Sequence, residues 1–307
     1  MNTIDLQIQS TASDGKHAPR ELVEMAKEMS LKVIAITDHD TVGGVAEALL
    51  AGGEFGVRVI PGIEMSVEER GTHILGYGID YQSPALLEEL EKFKQGRAEG
   101  AKKMVENLKG AGFTVEWEDV LKEATGGIVA RPHIVRAILG RAENKEKLGD
   151  ISTVHDFIQK YLADDSPYYI KRSHISAKNA IELLHHAGAV AIWSHPAIHF
   201  QNDYEGLENF LNSLREWEVD GVEVFTPSHT EDDTEFLNSL ATKYNLLRIA
   251  GSDFHERGLV HRGVPVEGGF ATSRSAVMVG DYETFGFSTE GIVEKLDEAI
   301  AARRGKL

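Results

Sequence analysis

The chain contains no cysteine. That excludes disulfides, zinc–thiolate fingers, iron–sulfur clusters and a cysteine nucleophile, so any metal site must use nitrogen and oxygen donors. Positive charge is also scarce. Lys and Arg total 32 against 49 Asp and Glu, a formal charge of −17. Duplex DNA requires a basic face that such a composition does not offer. An anionic small substrate stays compatible, because bound cations would offset part of the charge. No apolar run approaches the roughly 20 residues of a membrane span, and the opening MNTIDLQIQS is polar. The expectation is a soluble, cytoplasmic protein with no membrane partner. Nothing in the sequence speaks to oligomeric state.

Histidine is plentiful, with 13 in 307 residues. It is the commonest metal ligand and acid–base group, so the positions of these residues matter. Short apolar runs alternate with amphipathic stretches over most of the chain. Strands are predicted at Thr3–Ile8, Lys32–Thr37, Val57–Ile63, Thr72–Ile79, Ala189–Trp193, Gly221–Phe225 and Leu246–Ala250. Helices are predicted at Pro19–Met29 and Thr41–Leu50, before each of the three later strands, and at Thr289–Arg304. Such alternation predicts a parallel sheet of α/β class. Residues 84–172 differ. Leu86, Leu90, Phe93, Ala101, Met104 and Leu108 recur at helical period, and Trp117–Ala124, Arg131–Leu139 and Val154–Leu162 also read as helices. The predicted organisation is a discontinuous α/β unit, 1–83 and 173–307, interrupted by a helical cap at 84–172.

Ligand-type side chains gather just after the strands. Ser13-Asp14-Gly15 follows the first, Thr37-Asp38-His39-Asp40 ends the second, and Gly62-Ile63-Glu64 ends the third. Ser194-His195-Pro196 and Gly251-Ser252-Asp253-Phe254-His255 follow two later strands. In an α/β barrel those ends share one face, the face that carries active sites. His, Asp and Glu together suit divalent metals, and metals sharing a carboxylate suit in-line displacement at phosphorus.

These segments, with DLQIQSTASDG (5–15), TDHDT (37–41), THILGY (72–77) and ARPH (130–133), resemble the polymerase-and-histidinol-phosphatase (PHP) family of metal-dependent phosphoesterases, nucleotide-phosphatase branch. The resemblance implies a distorted seven-stranded β/α barrel with a helical cap, up to three manganese, iron or zinc ions, and hydrolysis of phosphate esters. It implies one metal on Asp14, His39 and His255, and a second on Glu64 as bridge with His73 and His195. Asp253 would belong to a third metal with a first-strand His-x-His. Here the chain departs, with Gln7-Ile8-Gln9 in that place. An amide oxygen is a weak neutral ligand beside imidazole, so two filled centres, Mn2+ first, and a depleted third are expected.

Arg131, at a helix start, is a candidate phosphate clamp, and His133, Lys171 and His229 are candidate substrate contacts. Asp253 is the candidate proton acceptor, and His195 a ligand in the reaction centre. Asp38 reads as an orienting residue, and the acids at 231–235 as a helix N-terminus. His17, His155, His174, His185, His186, His199 and His261 read as structural or exposed. The expected substrate is a nucleotide, a short oligonucleotide or another small phosphate ester. The alternative is a protein of the same fold that binds metal or a phosphorylated ligand without efficient turnover.

Overall fold

Strand β1 (Ile4–Ile8) is buried along its whole length. Its alternation sends Ile4, Leu6 and Ile8 into apolar cores and leaves Asp5, Gln7 and Gln9 together on the other face. The computed structural model describes residues 2–124, 129–163, 165–170, 175–257 and 278–306. Among them β2 (Val33–Ile36), β3 (Arg58–Ser66), β4 (His73–Tyr77), β5 (Val190–Trp193), β6 (Gly221–Phe225) and β7 (Leu247–Ala250) follow β1 in one seven-stranded sheet, in chain order.

One strand corrects the parallel-sheet expectation. β1–β2–β3 and β5–β6–β7 are parallel, but β4 runs antiparallel to both neighbours. The link between Ser66 and His73 is too short for the helical crossover that a parallel connection needs, so the chain turns straight back. The sheet then nearly closes. Gln9 N donates to Phe254 O at 2.9 Å and Asp253 N to Gln7 O at 2.9 Å. A β-carbon on Gly251 would lie 2.5 Å from that of Gln7, so this approach requires glycine.

Asp5 pins the seam. Its carboxylate accepts from Ser252 N at 2.8 Å, Ser252 Oγ at 2.6 Å and Gly280 N at 2.6 Å. Burial nevertheless pushes its carboxyl up to about 6. Asp5→Ala would strand those donors inside the protein. At ~1–3 kcal/mol for each unsatisfied group, a loss of about 4 kcal/mol is expected in denaturant unfolding. A loss below about 1 kcal/mol would show that the seam does not depend on this residue.

The helices follow the strands around the outside: α1 (Pro19–Glu28), α2 (Val45–Phe55), then α3 (Pro84–Gly110), α4 (Trp117–Glu123), α5 (Arg131–Leu139), α6 (Lys145–Leu148) and α7 (Val154–Tyr161) in the strand-free middle, and α8 (Ala177–His186), α9 (Tyr204–Glu216), α10 (Glu231–Tyr244) and α11 (Ile292–Arg304). α3 serves two cores. Leu86 and Leu90 pack on the barrel, while Ala101, Met104 and Leu108 join Phe113, Ile134, Ile138 and Phe157 in a separate helical core. Trp117 lies against that second core and Trp217 against the barrel. Trp193 is fully buried in the barrel wall, its indole N–H on Thr72 Oγ1 at 2.8 Å. The acids at 231–235 open α10, where Thr230 caps Asp233 N and Glu231, Asp232 and Asp233 meet the positive end of the helix dipole.

Candidate metal centre and phosphate recess

The C-terminal ends of the parallel strands converge as expected. Asp14 lies in the turn after β1, His39 after β2, His195 after β5, and Asp253 and His255 after β7. His73 reaches the same end because β4 runs backwards and begins there. Glu64 is inside β3 rather than at its end. The strand continues to Ser66, with Glu64 opposite Leu75 and Ser66 opposite His73. That pairing fixes the Glu64 side chain in the ladder, fully buried.

Glu64 is the hub. Its Oε1 meets His73 Nδ1 at 2.9 Å, His195 Nε2 at 3.1 Å and Ser194 Oγ at 3.1 Å. Its Oε2 accepts from Gln9 Nε2 at 2.6 Å and lies 3.6 Å from His39 Nδ1. His255 Nε2 is 3.5 Å from Asp14 Oδ1, and His255 Nδ1 is 3.9 Å from Asp253 Oδ1. Two sets place one ligand atom from each residue within 4.8 Å of the others: Asp14, His39 and His255, and His39, Glu64 and His73. His39 therefore stands between the sets. His195 reaches the second set through Glu64.

The backbone is strained at these turns. Asp40 (φ 52°), His195 (φ 28°) and Asp253 (φ 51°) adopt left-handed φ without being glycine. Glu223, in the middle of β6, holds one of them: its Oε2 accepts the His195 backbone N–H at 2.8 Å. Asp38 braces another loop, accepting from Ser10 N, Ser10 Oγ and Ser13 Oγ, each at 2.7 Å. It braces the turn that carries Asp14.

Burial alone would raise Glu64, yet His39, His73 and the His195 hydrogen bond hold it well below the usual carboxylate range. Burial opposes ionisation of Asp14 as well, and His39 and His255 overcome it. Burial would lower His195, but its bond to Glu64 raises it to about 9. Burial prevails at Asp253 and Glu223, which are raised, and at His73, which is lowered. The raised His195 stabilises the metal-free fold fully below the unfolded value near 6.5, and that contribution is lost as pH rises through about 9. A cation held by Glu64 would repel the extra proton of the neighbouring His195 ring, so apparent metal affinity is expected to climb across the same window. Calorimetry in buffers of different ionisation enthalpy would read the released proton; a flat profile would contradict it.

The family profile for the PHP domain matches residues 5–217. The chain belongs to the PHP family. A curated relative, the 5'-3' exoribonuclease of Haemophilus influenzae, is 32% identical over 253 residues, covering 82% of this chain and 89% of that protein. The 3',5'-nucleoside bisphosphate phosphatase of Chromobacterium violaceum is 31% identical over 261 residues, covering 84% and 89%. A solved amidohydrolase structure from Chromobacterium violaceum, with sulfate bound and no metal, superposes with TM-score 0.81 at 27% identity, covering 97% of each chain. As a PHP protein the chain is a metal-dependent phosphoesterase, the class its motifs implied.

The two three-residue sets fit divalent cations. Their donors are imidazole and carboxylate, and buried Asp14 Oδ1 and His39 Nδ1 have no hydrogen-bond partner. The first-strand position of a third cation does not fit. Glu64 as a carboxylate only accepts, so Gln9 must turn its NH2 towards it. Gln9 Oε1 lies 3.2 Å from Ser13 Oγ, whose proton goes to Asp38, and Gln7 Nε2 donates to Ser194 Oγ at 3.0 Å, which in turn bonds Glu64. Both amides thus direct donors towards the hub, where a PHP His-x-His would present lone pairs.

Among the candidate substrate contacts, Arg131 lies at the barrel mouth. It lines a recess of about 190 Å³ with Asp14, His39 and His73; its Nη1 donates to Leu162 O at 3.0 Å and its guanidinium lies 5.0 Å over the Tyr169 ring. His133 is buried and commits its Nδ1 to the Ala130 N–H at the start of α5, a capping role that the sequence did not suggest. Burial also lowers it to about 4. Buried His229 holds Val224 O through Nδ1 at 3.0 Å and leaves Nε2 without a partner. Lys171 lies outside the described residues, as do His174 and His261. Sequence reasoning missed three residues. Glu223 is one and Arg97, in the 190 Å³ recess, is another. The third is His199, expected to be structural or exposed, whose half-buried ring is centred 6.1 Å from that of His195, its inaccessible Nε2 without a hydrogen-bond partner.

Proposed function

We propose that the chain hydrolyses phosphate esters of nucleotides or short oligonucleotides with two divalent cations at the open end of the barrel. The observation that carries this reading is the convergence of the Asp14, His39, His255 set and the His39, Glu64, His73 set on the recess that Arg131 lines. Cations held there, Mn2+ by preference and Fe2+ or Zn2+ through the same donors, would supply Lewis acidity at phosphorus and activate water.

The protein's own groups do the rest. Arg131 neutralises charge on the phosphoryl oxygens from the cap side. His195 holds Glu64 in place through Nε2. Asp253 Oδ1, buried and without a hydrogen-bond partner, its carboxyl raised by burial, takes the proton of the attacking water. A second, wider recess of about 1020 Å³ shares Asp14 and is lined also by Lys16, Arg136, Arg257, Pro132 and Leu139. Glu123, Asp253 and Glu256 line it too, with Lys16 paired to Glu256, so its size and apolar surface, rather than its charge, suit a nucleoside. The named activities of the exoribonuclease and bisphosphate phosphatase relatives support that choice.

A panel of nucleoside monophosphates, bisphosphates and short RNA oligonucleotides tests the reading. Turnover is expected with Mn2+ and its loss on chelation, restored by added metal. Chelator-insensitive turnover, or none on any phosphate ester after loading, would overturn it.

A further inference from the structure

We propose that Glu223 is a positioning residue of the metal centre: from inside β6 it clamps the His195 backbone so that the imidazole stays on Glu64. This rests on the two-cation reading. Glu223 interrupts the run Gly221–Phe225, which is otherwise glycine and buried apolar residues. It is fully buried itself, a costly place for a carboxyl group. Its Oε2 accepts the His195 N–H at 2.8 Å, and its Oε1 has no hydrogen-bond partner. The β5–β6 ladder ends at Trp193 opposite Val222. Beyond that pair the chain leaves the sheet. Ser194 N turns to His73 O at 3.1 Å, and the Glu223 side chain meets the next amide.

His195 needs such a hold. Its φ of 28° and ψ of 57° are left-handed, and Pro196 follows it. A residue before proline is pushed towards extended backbone, and a β-carbon disfavours positive φ. Yet this turn is what brings Nε2 to 3.1 Å from Glu64 Oε1, and the ring centre to 5.2 Å from that of His73. Glu64 and His73 belong to one ligand set, which His39 shares with the other. Release of the amide would let His195 relax towards extended backbone and draw Nε2 off Glu64. Groups that brace metal ligands from behind set their orientation and the affinity of the centre. Because the partner of Glu223 is a backbone N–H, the clamp depends on the reach of its oxygen and not on its charge.

The test separates reach from charge. Glu223→Asp keeps the carboxylate but withdraws the oxygen, and Glu223→Gln keeps an oxygen at full reach without the charge. Hydrogen exchange of the His195 amide, read by NMR in the metal-free proteins, reports the clamp directly. Glu223→Asp is expected to lose at least about tenfold of the wild-type protection, and Glu223→Gln to retain it. Mn2+ calorimetry should show one of two equivalents weakened about 30-fold in Glu223→Asp and the other by less than about threefold. On 4-nitrophenyl phosphate, kcat should fall about 30-fold with KM changed by less than about threefold. Glu223→Gln should recover most of each loss. A purely structural role would instead weaken both equivalents alike. That result, wild-type behaviour of Glu223→Asp, or equal losses in the two variants would overturn the proposal. A wild-type protein that binds fewer than two Mn2+ would overturn the two-cation reading instead, and exchange at the His195 amide would still judge the clamp.

Discussion

His39→Ala is expected to abolish turnover more completely than any other single truncation at the barrel mouth. His39 is the residue common to both ligand sets, so one substitution opens a coordination position in each. The remaining side chains cannot compensate, because His73 and His195 are already held on Glu64 Oε1, and His255 is engaged with Asp14 and Asp253. Loss of both cations removes charge stabilisation and water activation together. A drop of at least about a thousandfold in kcat/KM is expected, about 4 kcal/mol at ~1.4 kcal/mol per decade. Bound metal should fall from two equivalents to less than one by elemental analysis. The fold should survive, since the side chain stands at a strand end and Glu64 keeps its other partners. His186→Ala on α8, an exposed residue whose ring bonds Glu182 O, is the matched control and should leave both readouts unchanged. Two retained metals in His39→Ala would show that the ligand sets do not share this residue.

The sequence displayed the site at the strand ends and hid it inside the elements. Asp14, His39, His195 and His255 were readable because each follows a strand whose apolar run marks where the chain leaves the sheet. Glu64 and His73 were found through their motifs, but β4's direction was not. A short apolar run looks the same running either way, and only the length of its connection hints at a hairpin. The grouping of ligands was also beyond sequence, since His39 serves both sets only through the distance between neighbouring strand ends. Arg97 was the discoverable omission. Its spacing from Leu90, Phe93 and Ala101 puts a permanent charge on the buried stripe of α3, an arrangement that helix periodicity alone exposes. Glu223 carries the same kind of signal, a carboxylate inside the buried run GVEVF. His199 gave none, because it enters the site by the short 3-10 turn Pro196–His199 rather than by any periodic element.

Gln7→His with Gln9→His is expected to admit a third cation and to raise the rate. The two side chains share one face of β1, and the seam is closed by the Gln7 backbone against Gly251 and the Gln9 backbone N–H on Phe254 O, so an exchange of side chains leaves the closure of the barrel untouched. What changes is polarity of presentation. Each glutamine now directs an N–H towards Glu64, either directly or through Ser194, and so occupies the carboxylate with donors. An imidazole in the same place can offer a lone pair, and Asp253 Oδ1, buried without a hydrogen-bond partner, is positioned as the anionic ligand. Metal content is expected to rise from two to three equivalents on manganese loading. An added cation near the developing oxyanion is worth several kcal/mol at most, so a gain of about tenfold or more in kcat is expected. Content that stays at two would mean that Glu64, and not the glutamines, sets the number of sites. A third equivalent with a slower rate would identify Gln7 and Gln9 as parts of a two-metal reaction centre, their hydrogen bonds holding Glu64 where a third metal would draw it away.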